Sequence, residues 1–184
     1  MKAAIIDSLG LSVAEVPVPT PAAHQLLVKV HFSALNRADL AMTDGHKHGA
    51  AGGQGAIAGL EWSGIVTEIG REVDGYAIGD RVMCSGAGGY AEYALSDASR
   101  TNKFPESTDN GYSFEEAATL PVALQTMHDA IVTNGRLQTS ESVLIQGASS
   151  GVGILGMQID KYLGAKLVIG SSTDTNTREQ LLDY

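Results

Sequence analysis

The stretch SVLIQGASSGVG, at residues 142–153, decides the fold of this chain. Its first five residues form a short run of the kind that makes a β-strand, and a glycine-rich turn follows. Apolar side chains then recur at helical spacing from Val152 to Leu163, and a second apolar run covers residues 165–170. The sequence therefore predicts a strand, a tight turn, a helix and a second strand in direct succession.

This succession is typical of the first unit of a dinucleotide-binding fold. Glycines in the turn let the backbone approach a pyrophosphate, and the helix N-terminus offers free N–H groups and the positive end of the helix dipole. A tight structural turn in another α/β fold is the alternative interpretation. The residues that we expect to bind the nucleotide here are Ala148, Ser149, Gly151, Val152, Gly153, Gly170 and Ser171.

Composition restricts the classes of partner. The 184 residues carry a formal net charge of −9, which disfavours nucleic acid or an anionic membrane surface as the main partner. No segment has the length and apolarity of a membrane span, and the N-terminal run, broken by Asp7, is too short for a signal peptide. Cys84 is the only cysteine, so no internal disulfide can form. We expect a cytoplasmic globular protein.

The region before the glycine turn has the pattern of a β-rich domain. Lys2–Ile6 and Ser12–Pro17 resemble the two arms of a hairpin. Further apolar runs predict strands at Leu26–Phe32, Gly64–Gly70, Gly79–Met83 and Tyr90–Leu95.

Two helices follow this β-rich region. Ser113 and Glu116 form a capping box at the start of the first, because each side chain can bond to the backbone of the other residue. Pro121 separates this helix from a longer one, Val122–Asn134, which Gly135 ends. The predicted fold class is mixed α/β, with a β-rich domain followed by one βαβ unit.

Several motifs occur in an order that resembles one superfamily. They are GLEWSG at 59–64, GDRV at 79–82, GGYAEY at 88–93, FEEAA at 114–118, LP at 120–121 and GVG at 151–153. The chain resembles the medium-chain dehydrogenase/reductases, and among them the zinc-free quinone oxidoreductase (zeta-crystallin-like) branch. The resemblance implies a GroES-like domain with the substrate site at residues 1–120, and the N-terminal part of a Rossmann NAD(P)-binding domain at residues 121–184.

Members of that branch continue well beyond the length of this chain. The resemblance therefore implies that the Rossmann domain is incomplete at Tyr184. Either the chain is a fragment of a longer enzyme, or it is a natural truncation whose activity is in doubt.

The resemblance also bears on zinc. Alcohol dehydrogenases of the superfamily place a cysteine ligand where this chain has Asn36, and a histidine where it has Leu60. Their third ligand falls near Leu120–Ala123, which holds neither cysteine nor histidine. Catalytic zinc needs three protein ligands, so we expect no metal. His46 and His48 are a weak alternative pair, since they lie two apart on a glycine-rich loop without a cysteine partner.

Without a zinc Lewis acid, the resemblance implies NADPH-dependent reduction of a quinone or of an activated C=C or carbonyl group. It implies Asn36 and Thr126 as the catalytic residues, Asn36 beside the nicotinamide ribose or the substrate and Thr126 on the nicotinamide side. Their alternative roles are a helix cap for Asn36 and a bond to its own helix backbone for Thr126. Asp39 is expected to pair with an arginine, and Ala41 stands where many quinone reductases have tyrosine.

The end of the second strand indicates the cofactor. NAD-specific sites usually place an acid there to accept from the ribose 2′-hydroxyl, but Ser172 stands in the register of that acid. A small hydroxyl admits a 2′-phosphate, and Arg178 on the next helix can approach it. The expected cofactor is therefore NADP(H), with Ser172 and Arg178 among its binding residues. A small shift in register would instead make Asp174 the ribose acid.

Other functions remain as alternatives. The first is an enoyl-thioester reductase of the same superfamily, as in polyketide enoyl-reductase modules, and the second is a truncated, non-catalytic nucleotide-binding chain. A short-chain dehydrogenase is excluded, because that family starts with the glycine motif, whereas a long β-rich region precedes the motif in this chain. The expected partner is a small quinone or enone, with a homodimer as the assembly considered, and neither nucleic acid nor a membrane is expected to bind.

Overall fold

The chain divides into two compact units, Met1–Pro121 and Val122–Tyr184. The structure is a computed structural model that describes residues 1–8, 10–49, 51–104, 111–173, 177, 179 and 181. No helix within these residues is both long enough and apolar enough to cross a membrane.

The first unit is built on strands. An antiparallel hairpin joins β1 (Lys2–Asp7) to β2 (Gly10–Glu15), which confirms the predicted hairpin. A separate sheet contains β3 (Gln25–Ser33), β4 (Glu61–Ile69), β5 (Arg81–Ser85), β6 (Tyr93–Asp97) and β7 (Thr101–Lys103). Its strands pair antiparallel in the order β6-β3-β4-β5-β7.

Strand β6 begins three residues later than the sequence predicts. The backbone of Tyr90 is already engaged elsewhere, because its N–H donates to the carbonyl of Ala58 and its own carbonyl accepts from Ala4, both at 2.8 Å. Residues 90–92 therefore run beside β1 before the chain turns to pair with β3.

The core of the first unit lies within this sheet. Strands β3 and β4 lie so close together at Gly64 that a Cβ on this residue would overlap the carbonyl oxygen of Lys29. Trp62 is fully buried among the neighbouring strands, and burial of such side chains is the main source of stability in a domain of this size. The buried cluster consists of Leu26, Val28, Trp62, Val66, Val82, Cys84 and Ala94.

Two short helices complete the first unit, α1 (Arg37–Thr43) and α2 (Phe114–Ala118). The capping box of α2 is confirmed: the N–H of Glu116 donates to the Ser113 hydroxyl at 3.2 Å, and the N–H of Ser113 donates to the Glu116 carboxylate at 2.8 Å. This pair satisfies two backbone donors that a helix start leaves open.

Arg81 holds the start of α2 against the sheet. Its guanidinium lies 4.3 Å from the ring centre of Phe114 and 4.8 Å from that of Phe104, and it donates to the carbonyl of Tyr112 at 3.0 Å. The buried hydroxyl of Ser63 donates to the carbonyl of Phe114 at 2.5 Å. Arg81 therefore links residues on both sides of the segment between β7 and α2.

Helix α3 (Pro121–His128) opens the next part of the chain, and it is shorter than predicted. From Asp129 to Asn134 the backbone is π-helical. The N–H of Gly135 reaches the carbonyl of Ala130 at 2.8 Å, and a Cβ on Gly135 would lie 2.6 Å from that oxygen. The missing side chain of Gly135 thus permits the wide turn that ends the helix.

The predicted βαβ unit forms the rest of the second unit. It consists of β8 (Ser142–Gln146), α4 (Gly151–Tyr162) and β9 (Leu167–Ser171), with the two strands parallel and in continuous register. Helix α4 packs on one face of the strand pair, where Ile145, Ala148 and Met157 form a buried cluster. The mixed α/β fold class is therefore confirmed.

One charged side chain belongs to the buried stripe of α4. Asp160 is 0% exposed, and neither of its carboxylate oxygens has a hydrogen-bond partner. Burial raises the pKa of Asp160 above its ordinary value, because a charge without a partner is unfavourable away from water.

We expect Asp160→Ala to raise the free energy of unfolding of the second unit by about 1–3 kcal/mol, the usual cost of burying an unpartnered polar group. A raised pKa favours the folded state at low pH, and this stability is lost as pH rises through the folded pKa. The increase in the free energy of unfolding caused by Asp160→Ala should therefore become larger as pH rises from about 4 to neutral. Native-state hydrogen exchange of the β8 and β9 amides measures this increase. The substitution Asp74→Ala, at an exposed turn residue of the first unit, is the control. An equal effect of both substitutions would contradict the assignment.

Candidate functional site

The start of α4 is closed by a serine cap. The hydroxyl of Ser150 accepts from the N–H of Gly153 at 3.0 Å and donates to the carbonyl of Gly147 at 2.8 Å. Gly147 has φ +67°, a left-handed conformation that favours glycine. The turn thus passes from β8 into the helix within a few residues.

The two glycines that open α4 have different surroundings. A Cβ on Gly151 would have no heavy atom within 4 Å, so the space over this residue is open. A Cβ on Gly153 would lie 2.5 Å from the carbonyl oxygen of Gly147 and 2.7 Å from the Cα of Ala148. Gly151 therefore leaves room for a ligand, whereas Gly153 lets the helix lie against its own turn.

Other expected nucleotide residues contribute mainly through their backbone. Ala148 is 0% exposed, and its N–H donates to the carbonyl of Ser171 at 2.9 Å, so its side chain belongs to the core. A Cβ on Gly170 would meet the Cβ of Ala148 and the Sδ of Met157, both at 2.8 Å. Val152 is half-buried on the first turn of α4.

Two hydroxyls meet where the turn passes the end of β9. The Oγ atoms of Ser149 and Ser172 lie 2.9 Å apart, and either can donate to the other. Sequence reasoning placed both residues at the nucleotide, and the structure joins them directly. Arg178 and Asp174, the other residues that bear on the cofactor, lie outside the described residues.

A second cluster of polar side chains lies in the first unit, around Asn36. The Nδ2 of Asn36 donates to the Oε1 of Glu61 at 2.8 Å, and Glu61 is 3% exposed. The backbone N–H of Asn36 donates to the carboxylate of Asp39 at 2.8 Å. Asn36 is the N-cap residue of α1, so its expected capping position is observed, while its side chain is held by the buried Glu61.

The expectation that Asp39 pairs with an arginine is wrong. Its Oδ2 accepts from the hydroxyl of Tyr90 at 2.8 Å and from the N–H of Asn36. The hydroxyl of Tyr90 also lies 3.1 Å from the carbonyl of Ala34. Burial and the hydrogen bond to Asp39 raise the pKa of Tyr90, so its hydroxyl remains a donor across the physiological range. The GGYAEY motif contains Tyr90, but its partner 51 residues away gave no local signal.

Thr126 belongs to the other unit. It is exposed on α3, and the described part of the chain shows no hydrogen bond from its hydroxyl to its own backbone.

The side chains at the expected zinc positions do not fit that metal. Asn36 offers an amide already bound to Glu61, and Leu60 is a buried aliphatic residue. Cys84 lies in the sheet core, and burial raises the pKa of its thiol to about 12, so it offers no thiolate. Within the described ranges, no three His, Cys, Asp or Glu side chains form a group suited to a metal ion.

Comparison with known proteins agrees with this architecture. Residues 22–106 match the alcohol dehydrogenase GroES-like domain. A quinone oxidoreductase of Rattus norvegicus is 34% identical over 91% of this chain and 50% of its own length. These similarities are to proteins of the medium-chain dehydrogenase/reductase superfamily. The chain spans about half the length of the curated quinone oxidoreductases that it matches.

Two further relatives show the range of this superfamily. A highly reducing polyketide synthase, phiA, from a fungal species is 33% identical over 82% of this chain, which covers 6% of that much longer protein. The crystal structure of an alcohol dehydrogenase superfamily protein from Novosphingobium aromaticivorans superposes with a TM-score of 0.88. It is 28% identical, and the match covers 100% of this chain and 56% of that one. The resemblance of the motifs to the medium-chain dehydrogenase/reductases is thus confirmed.

The two glycines of α4 should respond differently to alanine. Gly153→Ala should lower the free energy of unfolding of the second unit by about 1–3 kcal/mol, because its Cβ overlaps the turn. Gly151→Ala should be neutral or stabilise by up to about 1 kcal/mol, since alanine favours a helix. Chemical denaturation followed by a probe in the second unit measures both. Equal destabilisation by the two substitutions would show that the open space over Gly151 is not real.

Tyr90→Phe should lower the free energy of unfolding of the first unit by about 1–3 kcal/mol, because Asp39 loses a hydrogen bond to its buried carboxylate. Tyr93→Phe, on the same segment, serves as the control and should change it by less than about 0.5 kcal/mol. Urea denaturation of the two variants decides the matter. A Tyr90→Phe variant as stable as the wild type would remove Tyr90 from this cluster.

Proposed function

We propose that the protein is a zinc-independent, NADPH-dependent oxidoreductase that transfers hydride to a quinone or to an activated C=C or carbonyl group. The observation that carries this proposal is the start of α4, where a serine-capped helix N-terminus follows a glycine turn and the space over Gly151 is open. Free N–H groups and the positive end of the helix dipole at such a start bind phosphate groups. The likeness to the rat quinone oxidoreductase supports the reaction class.

The residues at this turn suit a dinucleotide phosphate. Gly151 and Ser149 offer the backbone and hydroxyl that would hold the pyrophosphate at the start of α4. Ser172 follows the last residue of β9, and its hydroxyl is compatible with a 2′-phosphate, which an acid at the same place would repel. This supports NADP(H) over NAD(H), with Arg178 as the proposed cationic partner of the 2′-phosphate.

A bound nicotinamide supplies the hydride, so the chain has to orient the reactants and exclude water. We assign Asn36 to the side of the substrate or the nicotinamide ribose, because Glu61 and Asp39 fix both its side chain and its backbone. Thr126, with its exposed hydroxyl on α3, is the proposed second contact on the nicotinamide side. Neither role requires a metal, which agrees with the absence of a zinc donor set among Asn36, Leu60 and Cys84.

A second candidate is reduction of an enoyl thioester. The polyketide synthase that matches 82% of this chain favours it, because the match covers the same β-rich domain and nucleotide unit. Ala41, in place of a tyrosine, leaves α1 without an aromatic hydroxyl at that position. The two candidates share the cofactor and differ in the acceptor.

Purified chain should oxidise NADPH in the presence of menadione, and it should do so equally well after dialysis against a chelator. Crotonyl-CoA as acceptor tests the second candidate. Elemental analysis should find no stoichiometric zinc, since the zinc donors are replaced. One tightly bound zinc per chain, or loss of activity with the chelator, would contradict zinc independence. A chain that binds NADPH but reduces neither acceptor would support the non-catalytic alternative.

Ser172→Asp should reverse the cofactor preference. A carboxylate at the end of β9 accepts from a 2′-hydroxyl and repels a 2′-phosphate, so the dissociation constant should rise about tenfold or more for NADPH and change little for NADH. Titration calorimetry measures both. The matched control is Ser142→Asp, which adds the same charge at the opposite end of the β8–β9 strand pair. Equal weakening by the two variants would place the 2′-phosphate away from Ser172.

A further inference from the structure

Tyr90 is fixed at its backbone before its side chain reaches the cluster around Asn36. Its N–H donates to the carbonyl of Ala58 and its carbonyl accepts from the N–H of Ala4, both at 2.8 Å. Its ring packs against Gly59, where a Cβ would lie 2.5 Å from the Cδ1 of Tyr90. Gly59 has φ +100°, a conformation that also favours glycine. The side chain of Tyr90 therefore extends from a fixed backbone, in a direction that the missing side chain of Gly59 permits.

The hydroxyl of Tyr90 contacts the chain on both sides of Asn36. It lies 2.8 Å from the Oδ2 of Asp39, three residues after Asn36. It lies 3.1 Å from the carbonyl oxygen of Ala34, two residues before Asn36. Both of these oxygens are acceptors, so the phenol is the donor that they share. One rigid side chain thus holds the connection between β3 and α1 at two points.

Asp39 relates the position of Tyr90 to that of Asn36. Its Oδ2 accepts from the Tyr90 hydroxyl and from the backbone N–H of Asn36, each at 2.8 Å. Asp39 is 5% exposed, and its other oxygen, Oδ1, is buried without a hydrogen-bond partner among the described residues. Both bonds therefore meet at a single oxygen atom, and the bond from Tyr90 fixes the acceptor that Asn36 uses.

We propose that Tyr90 is a positioning residue for hydride transfer, which acts on Asn36 through the Oδ2 of Asp39. The inference rests on the proposed oxidoreductase function and on the role proposed there for Asn36. Tyr90 touches neither reactant in this role. A misplacement of about 1 Å in a group that orients the reactants can lower a rate about a hundredfold, so the hydroxyl that holds Asn36 in place affects the chemical step.

The Tyr90 hydroxyl has two effects, one on stability and one on the position of the Asn36 amide. Asn36→Ala keeps the backbone N–H that bonds to Asp39, so the effect on stability persists in that background. The effect on rate requires the amide that is positioned. Tyr90→Phe should therefore slow hydride transfer when Asn36 is present and change the rate little when it is alanine, whereas it should lower stability in both backgrounds.

The unpartnered Oδ1 of Asp39 permits a rescue by a conservative substitution. An asparagine can keep an oxygen at the position of Oδ2 and place its NH2 group where Oδ1 has no partner among the described residues. Asp39→Asn should therefore retain the bonds to Tyr90 and Asn36, and Asp39→Leu should remove both. If Tyr90→Phe fails to fold, this pair of variants tests the same path.

The experiment uses the full 184-residue chain with NADPH and menadione. Single-turnover stopped-flow measurements give the rate of hydride transfer, and NADPH deuterated at C4 of the nicotinamide identifies that step. Fluorescence titration gives the dissociation constant of NADPH, and urea denaturation gives stability. Hydrogen exchange of the Asn36 backbone N–H, measured by NMR without cofactor, reports the bond to Asp39 directly. The matched control is Tyr93→Phe, which removes a hydroxyl from the same segment.

We expect Tyr90→Phe to lower the rate of hydride transfer about tenfold and to change the dissociation constant of NADPH by less than about twofold. Exchange of the Asn36 N–H should become about tenfold faster, because Asp39 Oδ2 is no longer fixed. Tyr93→Phe should leave both quantities unchanged. Asp39→Asn should keep the rate within about threefold of the wild type, whereas Asp39→Leu should lose at least as much as Tyr90→Phe.

An equal loss of rate from Tyr90→Phe in the wild-type and Asn36→Ala backgrounds would overturn the inference, and so would unchanged exchange of the Asn36 N–H. Either result leaves the proposed function in place. A wild-type chain that binds NADPH and transfers no hydride would overturn the proposed function, and the inference with it.

Discussion

The second unit depends on the close contact between Gly153 and the turn that precedes it. With no side chain there, α4 begins directly beside the end of β8, and the carbonyl of Gly147 lies where a Cβ would otherwise be. Ser150 can then reach both Gly147 and the N–H of Gly153. The same contact leaves Gly151 facing open space. One missing side chain thus permits both the close packing of the helix on its turn and the serine cap at its start.

In the first unit, the positions of several side chains depend on the hydrogen bonds that two buried carboxylates require. Asp39 and Glu61 are almost fully buried, and hydrogen bonds from nearby donors offset the cost of removing such groups from water. Asn36 provides a backbone donor to one and a side-chain donor to the other, while Tyr90 provides the third. The capping role and the proposed cleft role of Asn36 therefore do not compete. The backbone bond to Asp39 belongs to the start of α1, while the bond to Glu61 holds the side-chain amide in place.

Local patterns predicted much of the fold, because their causes lie within a few residues. The β1–β2 hairpin, the Ser113 capping box and the βαβ order are of this kind. The partner of Asp39 was missed because Tyr90 lies 51 residues away and meets it only in the folded sheet. The sequence likewise placed Ser149 and Ser172 at the nucleotide, but it could not show their contact, because the two hydroxyls lie 23 residues apart in the chain and meet only in the folded unit. The roles of these residues with a ligand stay predictions.

Because the chain carries a net charge of −9, the binding of an anionic cofactor depends on local hydrogen bonds. Distant carboxylates repel phosphates, but at physiological salt this repulsion is screened beyond about 8 Å. The attraction that remains near the phosphates comes from the N–H groups of α4 and from the hydroxyls that flank them. The effect of these N–H groups is confined to the first turn of the helix. A phosphate on the ribose carries a charge that the proposed partner Arg178 would attract, and it accepts hydrogen bonds, whereas a ribose hydroxyl can also donate. A hydroxyl at the end of β9 is compatible with such a phosphate, whereas a carboxylate at the same place would repel it.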